Sequence, residues 1–187
     1  MVTEVAKRLI NVDEYYKMAE VGILKPSDRV ELIHGDIYEM SPIGSRHASI
    51  VNRLAKILNN LFGEEMIIGI QAPVRINHKN EPEPDISILK PKSDYYVSAH
   101  PGPTDTVAVI EVSDSSIKYD LEVKVPLYAS SGIPHLWIVN IEANHIEVYS
   151  RPKGLDYLER TIYQLDDEIK FLNKSIQVKD VITQPES

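Results

Sequence analysis

The 187-residue chain contains no cysteine. That absence excludes disulfides, thiolate zinc sites and cysteine nucleophiles, and it suits a reducing cytoplasm, which is the expected location. No apolar run reaches the ~18 residues that a membrane span requires, so no membrane partner is expected. The opening residues, MVTEVAKRLINVDEYY, show no basic region followed by an apolar block, so no secretory signal is expected. Tryptophan occurs once, as Trp137 inside the apolar stretch HLWIVNI. A core position there argues against the aromatic lining of a carboxylate-pair glycosidase. A basic excess is missing too: the formal net charge is −8. That balance weighs against a broad nucleic-acid surface, while leaving room for a local basic groove beside an acidic metal site. Internal repeats, low-complexity tracts and linkers are not evident.

What is present is the composition of an ordinary globular protein, 43% hydrophobic and 26% charged. The length favours one domain over residues 1–187, with a short N-terminal helix at about 11–22 and a core at about 28–180. Asn11 or Asp13 can cap that first helix, and Gly22 with Pro26 marks its exit. RVELIHGDIYEM reads as two β segments around a tight His34-Gly35 turn. In SPIGSRHASIVNRLAKILNNLFG, Ile50, Leu54, Ile57, Leu58 and Leu61 recur at helical spacing, with Arg46, Arg53, Lys56 and Asn60 on the other side. MIIGIQAPVRI and PDISIL read as strands, the first bent or at an edge because of Gly69 and Pro73. TVAVIEVS is a continuous apolar run, the mark of a central strand covered on both faces. A helix is expected near residues 116–130, kinked or started late by Pro126. HLWIVNI, HIEVYS and YLERTIYQL complete the strands; which of the last two forms a sheet edge is open. The order predicts an α/β fold with a mixed sheet and helices packed against it.

Within TVAVIEVS stands Glu111. A carboxylate in a buried strand is costly unless its charge is compensated. Asp85, at the start of a preceding short strand, can reach the same sheet end if the two strands are neighbours. Two converging carboxylates repel unless a positive charge lies between them. Mg²⁺ or Mn²⁺ serves that role, being a hard cation that takes oxygen ligands and keeps several waters. The blander alternative is a simple ion pair between Glu111 and a lysine or arginine. Asp120, Lys124 and Tyr128 recur at i, i+4 and share a face if helical. Spacing alone favours an exposed Asp120–Lys124 pair there, contributing only about 0.3–0.5 kcal/mol. His47, in the first turn of the long helix, fits either a boundary histidine bonded to backbone or a place near a metal or phosphate. Arg46, Arg53 and Lys56 could touch a DNA backbone, though charged helix stripes are usually just solvated.

The ordered stretches VELIHGDIYEMSP, RHASIVNRLA, EPDISIL, VAVIEVSDSS, KYDLEVKVPLYASSGIPHLWIVN and IEVYSR resemble the Uma family of restriction-endonuclease-like proteins, a branch of the PD-(D/E)XK nuclease superfamily. The likeness runs from about Val30 to Arg151. It implies a restriction-endonuclease-like core and a Mg²⁺- or Mn²⁺-dependent endonuclease acting on DNA, with a homodimer plausible for cutting both strands. It also implies that Asp85 and Glu111 are metal ligands. The basic pattern has a lysine two residues after the acid, where this chain has Ser113. Lys124 fits the displaced lysine of the Uma-like branch. Glu31 resembles the superfamily's early glutamate, an outer ligand or water-orienting group, and could equally be an exposed strand residue. Tyr128 would support Lys124 or line the groove. The competing function class is a non-catalytic nuclease-fold module that acts as a binding or scaffold protein.

Overall fold

The computed structural model describes residues 6–25 and 27–182; Pro26, expected to mark the first helix's exit, lies outside them. Helix α1 (Val12–Glu20) begins at Asn11, whose side chain accepts from the Glu14 backbone while the Glu14 carboxylate returns the bond to Asn11 N–H. This reciprocal cap satisfies two otherwise orphaned donors. Strands β1 (Val30–Ile33) and β2 (Asp36–Glu39) form the expected hairpin, with Val30 opposite Glu39 and Ile33 opposite Asp36. His34 and Gly35 both take positive φ, 55° and 78°, as a two-residue turn of the primed type demands. The hairpin is a separate two-stranded unit, joined at Leu32 to the Glu81 backbone.

A six-stranded sheet forms the centre, in the order β3 (Ile67–Ile70), β4 (Ile86–Leu89), β5 (Thr106–Ser113), β6 (His135–Asn140), β7 (His145–Lys153) and β8 (Asp156–Tyr163). All neighbours are antiparallel except β5 and β6, which run parallel through a helical crossover. The sheet is therefore mixed and flanked by helices, as the element order predicts. β8 is the edge strand that the sequence pattern left undecided. MIIGIQAPVRI is strand only over its first part. Gln71 turns the chain with φ 45°, and residues 71–76 leave the sheet.

The α2 helix (Ser45–Phe62) covers one face. Ile50, Val51, Leu54, Ala55, Leu58 and Phe62 pack there with Ile86, Ile88, Ala108, Ile110, Val112 and Trp137. The chain's last described elements, β9 (Glu168–Phe171), β10 (Lys174–Gln177) and α5 (Val178–Val181), add Phe171, Ile176 and Val178 to that core. Arg46, Arg53, Lys56 and Asn60 are exposed on the far side of α2. Trp137 is fully buried, in the core place expected of it.

The opposite face is covered by the segment following β5. Of the two outcomes that Pro126 suggests, a kink or a late start, the second holds, with an irregular turn before it. One turn, α3 (Ile117–Tyr119), passes into a π-helical turn over Asp120–Lys124, then α4 (Val125–Ser130) with Pro126 in its first turn. Val125 N–H bonds the carbonyl of Asp120, one residue wider than an α-helical bond. A proline near a helix start loses no intrahelical bond, so the widened turn accommodates Pro126 without a break. Turns of this kind are frequent at functional sites.

Candidate active site

Alternation along β5 sets the site. Ala108, Ile110 and Val112 face the α2 core, so Val109, Glu111 and Ser113 face the α3–α4 side. Glu111 is thereby buried, 3% exposed, under the π turn. Its counter-charge is Lys124: Nζ lies 3.1 Å from Glu111 Oε1 and 3.3 Å from Glu31 Oε2. The Tyr128 hydroxyl donates to Glu111 Oε1 at 2.7 Å. This is the ion pair with a lysine that the sequence offered beside the cation shared with Asp85.

The exposed Asp120–Lys124 pair that spacing favoured is corrected here, and the exposed alternative for Glu31 is ruled out. Asp120 and Lys124 do not form an exposed pair; both are buried, because the sheet lies against their face of the segment. Asp120 instead accepts from Ser113 Oγ at 2.7 Å and Ser116 Oγ at 2.8 Å. Ser113 thus fastens the start of the π turn. Glu31 is not an exposed strand residue. It is 1% exposed and accepts from the Glu83 backbone at 3.1 Å and the Tyr119 hydroxyl at 3.2 Å.

Asp85 precedes β4 at the same end of the sheet. Its Oδ2 accepts from the Val112 backbone at 2.9 Å and lies 3.0 Å from His47 Nε2; Gln71 Nε2 donates to Oδ1 at 3.3 Å. His47 therefore bonds a carboxylate rather than backbone. Its other ring nitrogen, Nδ1, is buried without a hydrogen-bond partner among the described residues. Burial alone would raise the Asp85 pKa, but the His47 bond and charge, with the Val112 and Gln71 bonds, outweigh it and lower the value.

Glu31, Asp85, Glu111, Lys124 and His47 all line one cavity of about 310 Å³; Tyr128 stands behind it, holding Glu111. Glu39, Glu83, Asp114 and Asp120 line it as well, against only Arg29 and Lys124 as cationic groups. Burial, reinforced by Asp120, Asp85 and Glu31, pushes the Glu111 carboxyl pKa up, while the Lys124 ammonium 3.1 Å away pulls against that rise. The Lys124 ammonium is held above its ordinary range because Glu111, Glu31 and Asp120 overcome the cost of burying it. One ammonium shared among three buried carboxylates leaves a negative excess.

That excess suits a divalent cation. The donors are hard oxygens, and the cavity carries more negative charge than its own side chains neutralise. Among the described residues no group of three or more His, Asp or Glu side chains is arranged to hold an ion by itself. Mg²⁺ needs less than that, since one or two carboxylates and several waters complete its shell. Asp85 and Glu111 are two such carboxylates in the lining of one cavity. Sequence patterns did not single out Gln71, Glu83, Tyr38 or Tyr119; they come from separate segments, and only the tertiary fold gathers them.

No helix among the described residues is long and apolar enough to cross a membrane. A solved structure with the same fold is that of "a putative nuclease belonging to DUF820 from Anabaena variabilis", with a TM-score of 0.70 and 15% identity, covering 93% of this chain and 98% of that one. No curated protein matches the chain. The Uma2 family, described as "Putative restriction endonuclease", matches residues 12–174. With that match running from the first helix to the start of β10, the chain belongs to the Uma2 family.

Proposed function

We propose that the protein is a divalent-metal-dependent endonuclease that hydrolyses phosphodiester bonds in DNA. One observation carries the reading. In a Uma2-family chain, Asp85, Glu111 and Lys124 line a single cavity whose acidic groups outnumber its cationic ones. Phosphate could not approach such a cavity without an added cation. Mg²⁺ or Mn²⁺, when held by Asp85 and Glu111, would supply Lewis acidity toward the phosphate and lower the pKa of bound water. In hydrolysis the water oxygen forms the new bond to phosphorus and the ester bond to the leaving oxygen breaks. The chain's own residues then have distinct tasks. Lys124 offsets negative charge growing on the phosphate in the transition state, a fixed charge that needs no reorganisation. His47 and Gln71 hold the Asp85 carboxylate in orientation, Tyr128 does so for Glu111, and Glu31 keeps Lys124 in place. A cytoplasmic setting, and a pair of copies where both strands are cut, belong to the same proposal.

The test is cleavage of plasmid and single-stranded DNA in Mg²⁺ or Mn²⁺ and in chelator, with folded Asp85→Ala, Glu111→Ala and Lys124→Ala beside wild type. Metal-dependent cutting lost in all three is expected. Undiminished cutting by Asp85→Ala would defeat the assignment. A non-catalytic binding module is the second reading, and the direct Lys124 and Tyr128 bonds to Glu111 favour it, since they satisfy that carboxylate without metal. A fold without turnover, and with no metal response, is its signature.

A further inference from the structure

The hydrolysis described above uses only the acidic part of the cavity. The lining also carries two tyrosines and several apolar side chains. Tyr38 and Tyr119 line it with ring centroids 5.3 Å apart and planes inclined at 45°. Tyr38 stands directly opposite Glu31 across the β1–β2 hairpin, so both side chains leave the hairpin on one face. Tyr119 is pinned through its hydroxyl to the same Glu31. Both rings remain partly exposed. Met40 and Ile43 extend this apolar lining, and Ile43 is 41% exposed. Neither a cation nor a phosphate calls for such a wall.

The acidic part is also deep. Glu31, Glu111 and Lys124 are 1%, 3% and 5% exposed, so a scissile phosphate must enter the cavity to meet them. In a duplex the phosphates follow a stiff double helix whose bases stay stacked. A backbone that must bend into an enclosed cavity does so most easily where its nucleotide leaves the stack, and leaving the stack is least costly where the base is mismatched or already unpaired. A chain with net charge −8 gains little from non-specific attraction to duplex phosphates. Base stacking on aromatic side chains supplies affinity that does not depend on that attraction.

We propose that this site takes unpaired DNA: a single-stranded, frayed or bulged nucleotide whose base stacks on the Tyr38–Tyr119 pair while its phosphate enters the cavity toward Asp85, Glu111 and Lys124. The proposal rests on the nuclease reading and specifies its substrate class. Tyr38 is then a substrate-binding residue, and Tyr119 both binds the base and positions Glu31.

Fluorescence anisotropy in Ca²⁺ with a labelled single-stranded 20-mer, its blunt duplex and the same duplex with a central bulge tests the binding. Cleavage of the three in Mg²⁺ runs in parallel. Single-stranded and bulged DNA are expected to bind at least about tenfold tighter than blunt duplex. Tyr38→Ala should weaken that binding by about 5- to 150-fold, the value of one stacked base, and Tyr38→Phe should restore it. Tyr119→Leu serves as the second variant should Tyr38→Ala fail to fold. Equal binding of all three DNAs, a Tyr38→Ala loss shared equally by the duplex, or no binding at all overturns the proposal. Metal-dependent cutting of blunt duplex that ignores Tyr38 would leave the nuclease reading standing and remove this one. Tyr38-dependent binding of single strands without cutting in any metal would do the reverse.

Discussion

Lys124 Nζ lies 3.1 Å from Glu111 Oε1, and a π turn ending at that lysine brings it there. Ser113 and Ser116 hold the start of the turn through Asp120, and the turn admits Pro126 at its exit. The same lysine contacts Glu31 from the hairpin, so three separate elements meet at one ammonium.

Removing that ammonium leaves Glu31 and Glu111 buried without their shared cation. Breaking a buried ion pair from one side costs about 3–5 kcal/mol, whereas replacing both partners is often near neutral. Lys124→Ala should therefore lower unfolding free energy in urea by roughly that amount. Lys124→Met combined with Glu111→Gln should lose less than Lys124→Met alone. A double-mutant cycle measures the coupling. Additive losses would mean that the pair does not interact as its distance implies.

Divalent metal should stabilise the folded protein through Asp85 and Glu111. A ligand bound only by the native state at one hundred times its dissociation constant adds about 2.7 kcal/mol. For a chain of this size that is about 5–10 °C in melting temperature. Thermal melts with Mg²⁺ or Mn²⁺ titrated to saturation should show the rise in wild type and not in Asp85→Ala. An identical rise in both would place the bound metal elsewhere.

Gly35 carries the hairpin turn, and through it the position of Glu31 and Tyr38. Its φ is 78°, and a Cβ there would lie 2.7 Å from Leu9 Cβ and 2.8 Å from the Ile10 carbonyl oxygen. Both the backbone region and the space forbid a side chain. Gly35→Ala should destabilise by more than about 1 kcal/mol in urea denaturation, and should depress any cleavage beyond what lost stability explains. Wild-type stability in this variant would show that the turn relaxes freely.

Much of this architecture is readable from residue patterns. The helical repeat of Ile50, Leu54 and Leu58 marks α2, and the apolar run around Glu111 marks a central strand. A carboxylate in such a run is conspicuous, so Glu111 stands out without any structure. Lys124 and Asp120 are a different matter. Their i, i+4 spacing fits an exposed ion pair as well as a buried one, and only the sheet packed against them decides. Pro126 signals an interruption but not its form, because the π turn depends on a hydrogen bond one residue wider than the repeat. His47, Gln71 and Asp85 meet across elements far apart in the chain. No local periodicity encodes that meeting, nor the pairing of Tyr38 with Tyr119.

A buried carboxylate away from the cavity gives the clearest pH prediction. Glu147 on β7 accepts from the Tyr149 hydroxyl and from Arg160 Nε at 2.9 Å, and its Oε1 lies 3.1 Å from His145 Nε2. Burial would raise its pKa, but these partners outweigh burial and lower it below the ordinary 4.5. A carboxyl with a depressed native pKa contributes stability that is present above its unfolded value and lost as pH falls through the native one. Glu147→Gln keeps the shape and removes the charge, so it should cost about 1.5–3 kcal/mol near neutrality. The gap between variant and wild type should then narrow as pH drops below about 4.5, because wild type loses this contribution and the glutamine has none to lose. Urea denaturation from pH 3 to 7 measures both curves. A gap that stays constant, or widens toward acid, would show that Glu147 is not held ionised by Arg160 and its neighbours.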